Sequence, residues 1–242
     1  MAINAQVLEA LLKAAGQTPG PKRLMCLGYP DILVTEDQLQ DLCGDDVLDE
    51  LAYREDSEPV LRANGLTESL EQMVEARSLF AACGMTAEFL DIHAPRGVEI
   101  VADLNLPIAG NLRGQYDVVY DGGMMEHCFN VGQAMRNVFA LARVGGYIVH
   151  FNPLNSYNHG FFAFNPTFYH DFYTQSGNRL ASEFYGVHGP VLDAQVTKLP
   201  PLQTFTSAPE RMGVLIVAQK LVDAEPGWPM QSRYRQNPEL RE

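Results

Sequence analysis

Cysteine is scarce in this chain, and its placement rules out two common scaffolds. Cys26, Cys43, Cys83 and Cys128 show no C-x-x-C spacing, so neither a zinc ribbon nor a disulfide framework is implied. Positive charge is also short, with 17 Lys and Arg against 30 Asp and Glu and a formal net charge of −13. A general nucleic-acid binder, or a protein docked on anionic lipid, would present a basic face, and none stands out. Arg233, Arg235 and Arg241 read as a mixed-charge tail. No apolar run reaches the roughly 18 residues that a membrane helix needs. The opening residues lack a basic-then-apolar secretory pattern. The expectation is a cytoplasmic protein with no nucleic-acid and no membrane partner.

What is present is enough for a sizeable core. The 242 residues, 46% of them hydrophobic, suit one α/β domain. The most informative stretch is Tyr116 to Pro153. Tyr116 to Tyr120 is a short β-prone run that reaches Asp121 and breaks at Gly122-Gly123. Asn130 can cap a helix, and Val131, Met135, Val138 and Ala142 follow at helical spacing. Gly145-Gly146 is expected to stop that helix, and Tyr147 to Phe151 forms the next strand. Strand, crossing helix and strand make a parallel βαβ unit, which puts functional loops at the strand C-termini.

The order of these pieces, with Glu126-His127 between the first strand and the helix, resembles the second half of class I S-adenosylmethionine-dependent methyltransferases. The resemblance covers roughly residues 22–221 and is strongest over 85–153. It implies a Rossmann-like α/β fold, with a mostly parallel seven-stranded sheet and helices on both faces. It also implies a small-molecule substrate and S-adenosylmethionine as cofactor. A single domain spans 1–242: an N-terminal helix and linker (1–21), an acidic insertion (32–66) given no chemistry, and an aromatic substrate or lid segment (154–178).

The family likeness also assigns cofactor positions. Arg23-Leu-Met-Cys-Leu-Gly28 reads as the first strand, and the family runs from there into a glycine-rich loop; here Gly28 and Tyr29 inherit that role. Two departures stand out: only one glycine is present, and Cys26 sits where the family has an acid. No G-x-G-x-x-G follows this strand, which argues against a nicotinamide enzyme. Thr67 is expected to cap a helix ending at Cys83-Gly84, and the strand after it, Ala87 to Ile92, carries Asp91 near its end. In the family that acid accepts hydrogen bonds from the ribose hydroxyls, which a carboxylate can do twice over; Ile92 lies beside it. The alternative for Asp91 is a helix-capping or solvent-facing residue, and the ribose role is favoured over it. A third strand, Val98 to Asp103, puts Asp103 and Leu104 in the adenine position or in a plain turn. Asp121 and Gly122 complete the cofactor set.

The last strands are expected at 179–188 and 212–221, joined by a proline-containing loop. Between Asn155 and Tyr173 lies a segment dense in aromatic, Asn and His residues. Asn158-His-Gly-Phe161 and Phe164-Asn-Pro-Thr-Phe168 look similar to methyltransferase-like proteins of sugar and polysaccharide pathways. Methyl transfer from a sulfonium needs alignment above all; a base is required only if the acceptor must lose a proton. His127 and His159 are the candidate catalytic residues, because imidazole titrates near neutrality. His127 reads equally as structural, and His150 and His170 read as structural. Asp121, Glu126, His127 and His159 offer metal-type ligands, but their spacing matches no defined site, and no metal is assigned. The alternative reading is a catalytically inactive, methyltransferase-like binding or assembly partner.

Overall fold

The computed structural model describes residues 2–94, 96–237 and 239; Arg241, assigned above to the tail, lies outside them. In chain order the elements are β1 (Ala2–Ile3), α1 (Ala5–Gly16), β2 (Lys22–Leu27), β3 (Asp31–Ile32), α2 (Glu36–Cys43), α3 (Ser57–Ala63) and α4 (Ala76–Ala82). There follow β4 (Met85–Asp91), β5 (Ile100–Val101), β6 (Tyr116–Asp121), α5 (Val131–Leu141), β7 (Ala142–Pro153) and α6 (Pro166–Gln175). The last are β8 (Arg179–Leu180), β9 (Phe184–His188), β10 (Gln195–Leu199), β11 (Gly213–Gln219) and α7 (Ser232–Gln236).

Among the described residues one sheet of nine strands organises the fold, in the order β10-β9-β11-β7-β6-β2-β4-β5 with β8 paired to β11. β5, β4, β2, β6 and β7 are parallel. Taken along the sequence they are the third, second, first, fourth and fifth parallel strands. That is the doubly wound Rossmann order, with its switch point between β2 and β6. The other half departs from the expected seven-stranded, mostly parallel sheet. β11 runs antiparallel to β7, β8 and β9, and β10 runs antiparallel to β9.

All six residues of β6 are buried, as expected of a strand covered on both faces. Val118 and Tyr120 face a core shared with Val7, Leu8 and Leu11 of α1 and with Leu79 and Phe80 of α4. Tyr116 and Val119 face the opposite core, with Met135 and Val138 of α5 and Phe172 and Tyr173 of α6. Each such valine or leucine contributes about 1.5–3 kcal/mol by leaving water. The Asn130 side chain accepts the Gln133 amide at 3.4 Å and starts α5.

Several expected boundaries move. Thr67 lies in a turn, and α4 begins at Ala76, where the Glu75 carboxylate accepts the Ser78 amide. Met73 and Glu75 instead pair their backbones with Arg54 and Ala52, which holds the segment extended. The third strand shrinks to Ile100–Val101 because Asp103 turns the chain, accepting the Asn105 amide at 2.9 Å. α5 stops at Leu141, and Gly145-Gly146 falls inside β7 at an irregularity in its pairing with β6. Gln195–Leu199, expected as loop, is an edge strand with only Leu199 buried, so it has no alternating apolar signal to read.

Candidate functional site

The parallel strands end on one rim, and open α/β sheets bind ligands at such a rim beside the switch point. There Leu27 of β2 is in register with Leu90 of β4 and Asp121 of β6. Gly28, Tyr29, Asp91, Ile92, Asp121 and Gly122 therefore follow neighbouring strand ends. The Ala102 amide donates to the Asp91 carbonyl at 2.9 Å, which brings Asp103 and Leu104 to the same side.

These residues are differently engaged. Gly28 adopts φ +85°, a left-handed conformation that glycine tolerates, and its amide donates to the Leu90 carbonyl at 2.6 Å. The Tyr29 ring stacks on Phe89 at 4.2 Å between centroids. Asp91 Oδ1 accepts the Ile92 amide at 2.6 Å. Leu104 is buried in the α5-side core, and its carbonyl accepts from Asn137. Asp121 is wholly buried: one carboxylate oxygen accepts the Met124 and Met125 amides at 3.2 and 3.3 Å, and the other meets His150 Nδ1 at 2.9 Å. His150 Nε2 in turn meets the Tyr173 hydroxyl at 2.7 Å. A neutral imidazole protonated at Nδ1 satisfies both contacts, donating to Asp121 and accepting from Tyr173. The Asp121 carboxylate thus faces inward, away from any ligand on the rim.

The segment read as an acidic insertion reaches this rim. Arg54, with its side chain 5% exposed, donates to Asp31 at 2.5 Å and to Asp56 through two bonds of 2.8 Å. Arg96, beyond β4, also donates to Asp31, at 2.9 Å. Together they tie the loop after β2 to the loop after β4. β1 adds a parallel pairing with β3.

The chemically densest region lies beside the ends of β6 and β7. A tight turn, Met125–His127, carries Glu126, whose side chain is 1% exposed. Asn152 donates to Glu126 Oε2 at 3.1 Å, and the Tyr169 hydroxyl donates to Asn152 Oδ1 at 2.6 Å. Glu126 Oε1 is buried without a hydrogen-bond partner, and His159 Nε2 stands 3.5 Å from it. Burial, reinforced by the charge of Asp121, pushes the Glu126 carboxyl up to about 7. The His127 and His159 rings lie 5.1 Å apart, and burial, then the charge of His159, lowers the His127 imidazole.

The loop bearing His159 is clamped to this turn. The Phe161 amide donates to the Glu126 carbonyl at 2.7 Å, and a Cβ on Gly160 would stand 2.7 Å from the same oxygen. Glu126, His127 and His159 line a cavity of about 310 Å³ together with Gly122, Ser156 and Arg211. That volume lies at the small end of ligand pockets. A larger groove of about 840 Å³ runs between α1 and β11. It is remote from the strand C-termini, so its size does not locate the site.

The structure therefore gathers His127 and His159, 32 positions apart in the chain, and adds Glu126, Asn152, Tyr169 and Arg54. Nothing in local spacing marks the last three, because each acts through a contact distant in sequence. Among the described residues, no helix is long and apolar enough to cross a membrane.

No family model and no curated protein matches the chain. Among solved structures it is similar to the CurJ carbon methyltransferase, at 14% identity over 91% of this chain and 54% of that one, with a TM-score of 0.49. The citrinin polyketide synthase CMeT domain gives 12%, 91%, 52% and 0.46. The 1,6-didemethyltoxoflavin-N1-methyltransferase of Burkholderia thailandensis, with bound 1,6-didemethyltoxoflavin and S-adenosylhomocysteine, gives 12%, 90%, 78% and 0.46. The chain spans about half the length of the first two. The chemistry of the site rests on its own residues.

Proposed function

We propose that this protein is an S-adenosylmethionine-dependent methyltransferase acting on a small polar molecule such as a sugar or glycan intermediate. One observation carries the reading: the Glu126, His127 and His159 cluster opens into a small cavity beside the switch point of a doubly wound sheet.

The rim residues fit the cofactor. Asp91 ends its strand half-exposed with one oxygen committed to the Ile92 amide, so its other oxygen can accept from ribose hydroxyls. Gly28 turns the chain away from the strand end in a left-handed conformation, buried and with its amide donated to Leu90. When bound, S-adenosylmethionine supplies an electrophilic methyl group on a sulfonium sulfur. The chain's own task is alignment, because direct displacement needs nucleophile, methyl and sulfur in line. Glu126, His127 and His159 hold the polar group of the acceptor at the cavity, Arg211 adds a positive charge to its lining, and the Asn152–Tyr169 relay fixes the Glu126 carboxylate.

Calorimetric titration with S-adenosylmethionine and S-adenosylhomocysteine tests this directly. Micromolar binding is expected. Asp91→Ala should weaken it about 10- to 150-fold, the loss of a charged acceptor worth about 1.5–3 kcal/mol. Unchanged affinity in that variant would remove the ribose assignment. Failure of folded protein to bind either compound would favour the inactive, partner-binding reading. The tie-down of the Gly28–Asp31 loop by Arg54 and Arg96 is the feature that would then explain it.

A further inference from the structure

We propose that Glu126, His127 and His159 form a binding site for one divalent transition-metal ion. One ligand atom from each of the three residues lies within 4.8 Å of the others. Glu126 Oε1 and His159 Nε2 are already 3.5 Å apart. Ligands at about 2.0–2.2 Å from a common metal stand about 3–3.5 Å from one another. A shift of about 1 Å, by rotation of histidine rings at the surface, closes the set around an ion. Two imidazoles and one carboxylate suit zinc, iron, manganese, cobalt or nickel, and they leave coordination positions open.

The second observation is the carboxylate itself. Glu126 is buried, and Oε1 points toward His159 with no hydrogen-bond partner. A buried acceptor left in this state is costly, and more so when it is charged. A cation between Oε1 and the imidazoles removes that cost. The other oxygen is held by Asn152, which is held by Tyr169. This is the outer-sphere support that orients a metal-binding carboxylate. The spacing in sequence matches no known site because one histidine arrives on a separate loop, fastened by the Phe161 amide to the Glu126 carbonyl.

The open positions face the cavity lined by Ser156 and Arg211, where an oxygen-bearing acceptor can reach the ion. The metal site rests on these side chains and not on the proposed methyl transfer, so the two readings can fail separately; with the ion bound, the three residues hold the acceptor through it rather than directly. The full chain, stripped with a chelator and dialysed, is titrated with cobalt(II) and followed by visible absorption. Calorimetry with zinc(II) and manganese(II) accompanies it, and S-adenosylmethionine binding is measured separately on metal-free protein. One equivalent of metal is expected, with affinity falling at least tenfold in His159→Ala, whose wild-type side chain is 54% exposed, and in Glu126→Gln. Asn152→Ala should lower affinity about tenfold through the outer sphere. Absence of binding would overturn the site. So would binding that is indifferent to His159→Ala and Glu126→Gln in variants whose circular dichroism matches wild type.

Discussion

Replacing Asp121 separates a structural role from a cofactor role at the position where the family resemblance and the observed geometry differ most. Its carboxylate is wholly buried, accepts two backbone amides, and meets the Nδ1 of an equally buried His150. Asp121→Ala strands all three donors without water. Leaving each of these buried donors unpaired costs about 1–3 kcal/mol. The losses share one site and do not simply add, so about 3–5 kcal/mol is expected in total. Asp121→Asn keeps an acceptor for the amides. His150 can then donate from Nε2 to the Tyr173 hydroxyl and accept at Nδ1 from the new amide group. That variant should lose only about 1–2 kcal/mol. Urea denaturation followed by circular dichroism measures both. In a chain of this size the alanine variant should melt about 6–20 °C lower. A loss below about 1 kcal/mol in Asp121→Ala, accompanied by weaker S-adenosylmethionine binding, would refute the structural role and restore Asp121 to the cofactor rim.

Three more predictions test other parts of the geometry. Gly160→Val should displace the His159 loop, because its Cβ would press on the Glu126 carbonyl at 2.7 Å; methyl transfer should fall at least tenfold while the protein stays folded, and full activity would show that the clamp does not position His159. Cys43 at the end of α2 and Cys83 just beyond α4, their sulfurs 3.0 Å apart, should cross-link under diamide; peptide mass mapping that finds both thiols free in oxidised, folded protein would contradict their proximity. Burial raises the Glu88 carboxyl, but hydrogen bonds from Tyr116 and Arg23 outweigh it and leave it below its usual range. The stability contributed by Glu88 is therefore present above about pH 4.5 and is lost as pH falls through the lowered folded value. With Arg23 42% exposed, solvent screening holds the cost of Glu88→Gln to about 0.5–1 kcal/mol at pH 7. That gap should close towards pH 3, and denaturation curves in which it widens on acidification would reverse the sign.

The sequence by itself determined the elements whose signal is local. Tyr116–Tyr120 reads as a strand because it is a short β-prone run that reaches Asp121 and breaks at a glycine pair. Val131–Ala142 reads as a helix, one residue longer than the observed α5, because a cap and an apolar stripe fall within one short window. Gly28 marks a strand end because the left-handed turn there favours glycine. These features placed the first and fourth parallel strands, and with them the rim. Tertiary structure decided what depends on partners distant in the chain. Residues 73–75 lie extended rather than helical because residues 52–54 pair with them. Gln195–Leu199 is a strand only because β9 offers an edge, since its own residues are mostly exposed. Arg54 became a rim residue by reaching Asp31. The Glu126, His127 and His159 cluster exists because one loop folds back 33 residues along the chain onto a buried carboxylate. Periodicity records which face of an element is apolar, but it carries no record of which loops meet, because that depends on how the layers pack.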